Sequence, residues 1–202
     1  GSKSLEERKV LLERCKNLVF VSNWVKEKFF DGFNKKNHQN CLVIYPSVNP
    51  IKNMPRKENL ISFVGKLNRS KGFNIFGNAV IKILKKYKNW NAIIVGDEPR
   101  EKYNFIHKNL KYKGWISHDK TLNLYNKTSI SVVPSLWEEP FGRTAMEAAS
   151  RGCATIISKR GGLIETVSNT IFLTKLNVDE LYNKIESLIK NVKYRKKFQL
   201  YS

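Results

Sequence analysis

Read for its apolar positions, the chain alternates between short unbroken hydrophobic runs and longer segments with a helical period. The runs "NLVFVS" (17–22), "CLVIYP" (41–46), "LISFVG" (60–65), "NAIIVG" (91–96), "SISVVPS" (129–135) and "CATIIS" (153–158) are rich in Val and Ile. They are mostly continuous rather than alternating, as strands of a parallel sheet covered on both faces should be. "TIFLT" (170–174) is a shorter run of the same kind. Between the runs lie helices with identifiable ends. Ser4 and Glu7 stand in capping-box spacing ahead of a helix that reaches about Cys15, and 23–31 reads as a helix stopped by Gly32. In "NIFGNAVIKILKKY" Ile75, Val80, Ile81 and Leu84 share one side and lysines the other. "NVDELYNKIESLIKNV" opens on Asn177 and Glu180, again in capping-box spacing, and Leu181, Ile185, Leu188 and Val192 form one stripe.

Strand and helix in alternation predict an α/β fold with a doubly wound, mainly parallel sheet. Ligands of such sheets bind beyond the carboxyl ends of the strands. Attention therefore falls on Gly65-Lys66, Gly96-Asp97 and the 135–142 loop, each directly after a run. The stretch "PSVNPIKNMPRKEN" (46–59) has three prolines and no period, and reads as a linker. What precedes it, helix–strand–helix–strand, is too small to bury a core of its own. The expected division is residues 1–47 as the end of another domain, 48–59 as linker, 60–185 as the main domain and 186–202 as a basic helical tail. The opening Gly1-Ser2 reads as a cloning scar.

Composition narrows the setting. The formal charge is +20, with 37 Lys and Arg against 17 Asp and Glu. The lysines are scattered rather than clustered, so nucleic acid is not the expected partner, although a seat on an anionic membrane face is open. Three cysteines, Cys15, Cys41 and Cys153, are far apart and form neither a CxxC nor a disulfide framework, which suits a reducing cytoplasm. Cys153 reads as a small core residue.

In so basic a chain, "EEPFGRTAMEAASRG" (138–152) places Glu139 and Glu147 eight positions apart around Phe141-Gly142 and Arg143. Proline and glycine at a helix start leave its first N–H groups available to an anion. A carboxylate beside a phosphate is repelled unless something else engages it, and a vicinal diol can donate to both its oxygens. A nucleotide-sugar has a diol at each end and a pyrophosphate between them. Two glutamates flanking an anion site fit that molecule. Cations would come from "SFVGKLNRSKGF" (62–73), where Gly65 lets the backbone approach and Lys66, Arg69 and Lys71 bring charge.

Taken together, "FVGKLNRSKGF", "IIVGDEP", "YKGWIS", "VVPSLWEEPFGRTAMEAASRG" and "GGLIET" resemble the donor-binding half of retaining, GT-B-fold glycosyltransferases of family four, over about residues 60 to 167. The early "VFVSNWVKEKF" and "VIYPSVN" resemble the last elements of such an enzyme's first domain and the crossover into the second. The resemblance implies that Lys66 and Lys71 bind the donor pyrophosphate, that Glu139 faces the transferred sugar, and that Phe141-Gly142 hold sugar hydroxyls. It further implies that Arg143 and Thr144 meet phosphate, that Glu147 binds the ribose, and that Gly114, Trp115 and Ile116 hold the base largely by main chain. Retaining transfer is implied with Glu139, Lys66 and Lys71 at the reacting end and Gly65 and Arg69 as further donor contacts. Neither metal nor cofactor is implied beyond the donor nucleotide-diphospho-sugar, since no Asp-x-Asp pair is present. The acceptor, a glycan or lipid-linked molecule, would be bound by a first domain of which only about the last 45 residues are expected here. The chain should therefore bind donor but transfer sugar poorly as it stands.

Rival readings are a sugar-nucleotide epimerase of the same architecture, a phosphorylase, for which no pyridoxal-phosphate lysine motif is present, and a non-catalytic basic module that binds polyanions. At single residues, Trp137 is expected to pack, Gly161-Gly162 to form a turn and Glu165 to start a helix, with donor contact as the alternative for the last three. His38, His107 and His118 carry no signal.

Overall fold

In this computed structural model residues 4–33, 40–49, 51 and 53–200 are described, and the chain separates into two compact units, Gly1–Ser47 and Val48–Ser202. The first unit holds α1 (Leu5–Arg14), β1 (Leu18–Phe20), α2 (Asn23–Phe30) and β2 (Cys41–Val43). Its capping box forms in both directions: Glu7 N–H donates to Ser4 Oγ at 3.2 Å, and Ser4 N–H donates to Glu7 Oε2 at 2.7 Å. β1 and β2 pair in parallel with Leu18 opposite Cys41. Its interior is aromatic, with Phe20, Phe29, Phe30 and Phe33 in edge, tilted and stacked contacts. His38 lies outside the described residues.

The second unit carries β3 (Leu60–Val64), α3 (Phe73–Lys86), β4 (Asn91–Val95), β5 (Leu110–Tyr112), α4 (His118–Lys127) and β6 (Ile130–Val133). It continues with α5 (Arg143–Ser150), β7 (Ala154–Ser158), β8 (Ile171–Leu173), α6 (Val178–Lys190) and α7 (Val192–Leu200). Short 3-10 turns cover Arg69–Lys71 and Gly161–Glu165. The six strands form one sheet in the order β5-β4-β3-β6-β7-β8, and every pairing is parallel. From β3 the chain winds outward through β4 to β5, then returns to β3's other side and winds outward again through β6, β7 and β8. This is the Rossmann-like double winding, and its direction switches between β3 and β6.

The central strands are buried almost end to end, β7 completely, which explains their unbroken apolar runs. α3 buries a wider face than its predicted stripe, adding Phe73, Phe76, Ala79 and Ile83 to Ile75, Val80 and Leu84, while Ile81 is half-buried. Each fully buried Ile or Leu contributes about 1.5–3 kcal/mol. α6 packs on α3 through Leu181, Ile185, Leu188 and Ile189. Its stripe stops there: the helix ends at Lys190, and Val192, expected in the stripe, opens α7 and is exposed. The expected boundary at residue 186 thus falls inside α6, and Leu188 and Ile189 beyond it are core. Only half of the second capping box forms. Glu180 N–H donates to Asn177 Oδ1 at 2.8 Å, but the Glu180 carboxylate accepts from the amides of Thr174, Lys175 and Leu176 instead. Cys153 is fully buried, and burial pushes its thiol up to about 12. No helix among the described residues is long and apolar enough to cross a membrane.

Candidate active site

The switch point of the sheet opens into a cleft of about 180 Å³. One wall comes from the end of β3 and the turn after it, where Asn68 organises the basic residues. Its Oδ1 accepts the Lys71 N–H at 3.0 Å and the Ser70 hydroxyl at 2.8 Å, capping the 3-10 turn. Its amide donates to Glu98 Oε2 at 3.4 Å, and Glu98 is gripped by Arg100 Nε and Nη2 at 2.7 and 2.8 Å. The Arg100 fork, with a smaller contribution from Asn68, holds the Glu98 carboxyl down at about 2. Glu101 accepts the Arg69 N–H at 2.9 Å from the same side. Loop 97–101 after β4 therefore fixes the backbone of 68–71, and the Lys71 ammonium is left to reach across the cleft.

The other wall follows β6. Leu136 and Trp137 donate their N–H groups to the Ser70 carbonyl at 2.8 and 2.9 Å, which ties this loop to the first. Glu139 is then placed by backbone: Gly162 N–H donates to its carbonyl at 2.7 Å, and a Cβ on Gly161 (φ 55°) would overlap the 138–139 main chain. Gly142 starts α5 at φ 118°, and a Cβ there would run into Leu163. No side chain caps this helix, so nothing of that kind covers its first N–H groups. Across the cleft Lys71 Nζ meets Glu139 Oε1 at 2.6 Å, with the two side chains 31% and 12% exposed. One turn into α5, Glu147 is buried, and its Oε1 receives Arg143 Nη2 at 3.3 Å. The same oxygen is 3.2 Å from His118 Nε2 on α4. Gly65, Lys71, Glu139, Gly142, Arg143 and Thr144 line one cleft.

A family model for glycosyl transferases group 1 matches residues 47–202. The chain belongs to that family. It is 28% identical over 211 residues to an uncharacterized glycosyltransferase of Methanocaldococcus jannaschii, which covers 91% of this chain and 53% of that protein. Its fold is similar to that of HepE from Anabaena, solved in complex with UDP-glucose: TM-score 0.78, 18% identity, 98% of this chain and 62% of that one. It is also similar to the C-terminal domain of the glycosyl transferase group 1 family protein LpcC from Francisella tularensis, with TM-score 0.65, 26% identity, 75% of this chain and 90% of that one. The chain spans about half the length, or less, of the curated relatives it matches.

In this member of the group 1 family not every expected contact residue lines the cleft, and the buried Glu147 is not a lining residue. Lys66 and Arg69 are exposed, and neither is a lining residue. Phe141 is buried, and it is the backbone beside it that reaches the cleft. Gly114 continues the row of strand ends, since its carbonyl accepts the Gly96 N–H at 2.8 Å. Trp115 next to it is 77% exposed, and Ile116 is half-buried. Two expectations fail. Trp137 does not pack and is 59% exposed, because its backbone rather than its ring is the anchored part. Glu165 ends a 3-10 turn instead of starting a helix. Sequence reasoning passed over Asn68, Glu98 and His118. Asn68 had a signal, an Asx residue three before Lys71 in cap spacing. His118 had a fainter one, the first helical position after the "YKGWIS" motif. Among the described residues no group of three or more His, Cys, Asp or Glu is placed to hold a metal ion.

Proposed function

We propose that this chain is the donor-binding half of a retaining, metal-independent glycosyltransferase of family four. It would hold a nucleotide-diphospho-sugar for transfer to a glycan or lipid-linked acceptor. The observation that carries the reading is the meeting of Lys71 and Glu139 at 2.6 Å in the switch-point cleft, with Arg143 lining the same cleft and reaching back to the buried Glu147 at 3.3 Å. A bound pyrophosphate replaces Glu139 as the partner of Lys71, and the released carboxylate turns to sugar hydroxyls. Glu147 takes the ribose diol, and the 114–116 loop takes the base. As the glycosidic bond to the diphosphate breaks and the sugar passes to the acceptor, Lys71 and the N–H groups at the start of α5 stabilise the leaving oxygen, and Lys66, exposed outside the cleft, turns in to join them. Each such donor is worth about 2–4 kcal/mol in the transition state.

In the same reading residues 1–47 are the closing elements of an acceptor-binding domain and 48–59 the crossover, and the division of the chain after Ser47 supports this. A cytoplasmic location draws its support from the three scattered cysteines, and a peripheral seat at an anionic membrane face from the charge of +20. Calorimetric titration with UDP, GDP and ADP at moderate salt tests the reading, with UDP first because HepE was solved with UDP-glucose. Saturable binding of one diphosphate, lost in Glu147→Ala, is the expected result. Steeply salt-dependent binding that ignores this substitution would point to the polyanion module instead.

A further inference from the structure

Both basic groups that reach Glu147 land on the same oxygen. Arg143 Nη2 lies 3.3 Å and His118 Nε2 3.2 Å from Oε1, and no hydrogen bond among the described residues goes to Oε2. The Glu147 side chain is 6% exposed, against 55% for His118 and 68% for Arg143. The acid is thus fixed in the fold, and two exposed groups reach in to orient its head. They come from different elements: Arg143 sits one turn earlier on α5, while His118 is the first residue of α4. A histidine nitrogen facing a carboxylate carries its proton, so the bond runs from Nε2–H to Oε1.

We propose that His118 is a positioning residue for the nucleotide, holding Oε1 of Glu147 so that the carboxylate is oriented for the ribose diol. The proposal rests on the donor-binding reading of Glu147. Arg143 cannot do this work alone. It lines the cleft beside Thr144, where an arriving pyrophosphate competes with Glu147 for the guanidinium. When Arg143 turns to phosphate, His118 is the donor that keeps the carboxylate in register. A carboxylate with one oxygen pinned keeps its plane fixed, which a vicinal diol donating to both oxygens requires and a lone phosphate does not.

The test is calorimetric, on the whole chain, with the nucleoside diphosphate that binds best and its 2′,3′-dideoxy counterpart. Wild type, His118→Ala and His118→Gln are compared, with thermal melts to establish that each is folded. His118→Ala should weaken the ribonucleotide up to about tenfold, because the freed carboxylate must then be ordered as the ligand binds. It should leave the dideoxy form unchanged, because that ligand offers Glu147 no hydroxyl. His118→Gln, whose amide can still donate, should recover most of the loss. Equal weakening of both ligands, or no weakening of either, would overturn the role of His118 while leaving the donor site intact. If wild type binds none of UDP, GDP and ADP, the donor reading falls and this inference falls with it.

Discussion

The two walls of the cleft are held in place by opposite means. On the β3 side, side chains fix backbone: Asn68, Glu98 and Glu101 accept or donate around the 68–71 turn, and the functional ammonium of Lys71 swings from a short, braced loop. On the β6 side, backbone places the loop: Gly161 and Gly142 pack closely where a Cβ would collide, Glu139 ends up 12% exposed, and Glu147, 6% exposed, has only its head turned by Arg143 and His118. The cations Lys71 and Arg143 keep 31% and 68% exposure. The difference suits the chemistry proposed for each wall. Phosphate oxygens accept from many directions, so a long cation can follow them, whereas a diol must meet a carboxylate at a set angle.

The largest effect is expected of Gly142→Ala, which strikes the backbone of the β6 wall. A residue with a Cβ at φ 118° is strained and displaces the buried Leu163, at a combined cost of about 3 kcal/mol. A thermal melt should show the midpoint fall by about 10 °C. A wild-type midpoint would mean that the β6 wall is not held by its backbone.

Asn68→Ala should cost less, about 1 kcal/mol, as the loss of a capping side chain does. Its larger effect should be on nucleotide affinity measured by calorimetry, because Lys71 loses its braced amide. Unchanged affinity would show that the turn holds its shape without Asn68.

Acid should loosen the β3 wall selectively. In the folded chain the Glu98 carboxyl sits at about 2 against an ordinary 4.5, so the unfolded form binds the proton more readily. The stabilisation is present above 4.5 and is lost as pH falls towards 2. Melts across that window should fall more steeply for wild type than for Glu98→Gln, and parallel curves would refute the assignment. Glu186, also held at about 2, chiefly by Lys86 with Tyr182 and Tyr87, adds a slope common to both proteins. The smallest effect belongs to Trp137→Ala. With its ring 59% exposed and its N–H doing the anchoring, stability should stay within about 0.5 kcal/mol in a denaturant titration.

Much of the sheet was legible along the chain, and so were Gly65, Lys71, Glu139, Gly142, Arg143 and Thr144 around the cleft, but two elements were not. β5 is an edge strand of three residues, Leu110–Tyr112, with only Leu110 buried, so it writes no apolar run. α4 buries only Thr121 and Tyr125 and is otherwise polar, which leaves its period faint. Trp137 misled for the converse reason: a large aromatic suggests a core, while the contact that places it is made by its amide.

The features readable along the chain are local or periodic. The Val- and Ile-rich runs of β3, β6 and β7, the Ser4–Glu7 box, and the stripe Leu181, Ile185, Leu188 all arise from residues a few positions apart, where backbone geometry alone decides which side chains share a face. The pairings that make a site are of another kind. Lys71 and Glu139 are 68 positions apart, and His118 and Glu147 are 29 apart on different helices. Only the double winding, by turning β3 and β6 into neighbours, brings the first pair across one cleft. Only the packing of α4 beside α5 brings the second pair onto one oxygen, since no spacing along the chain records which helices will lie together.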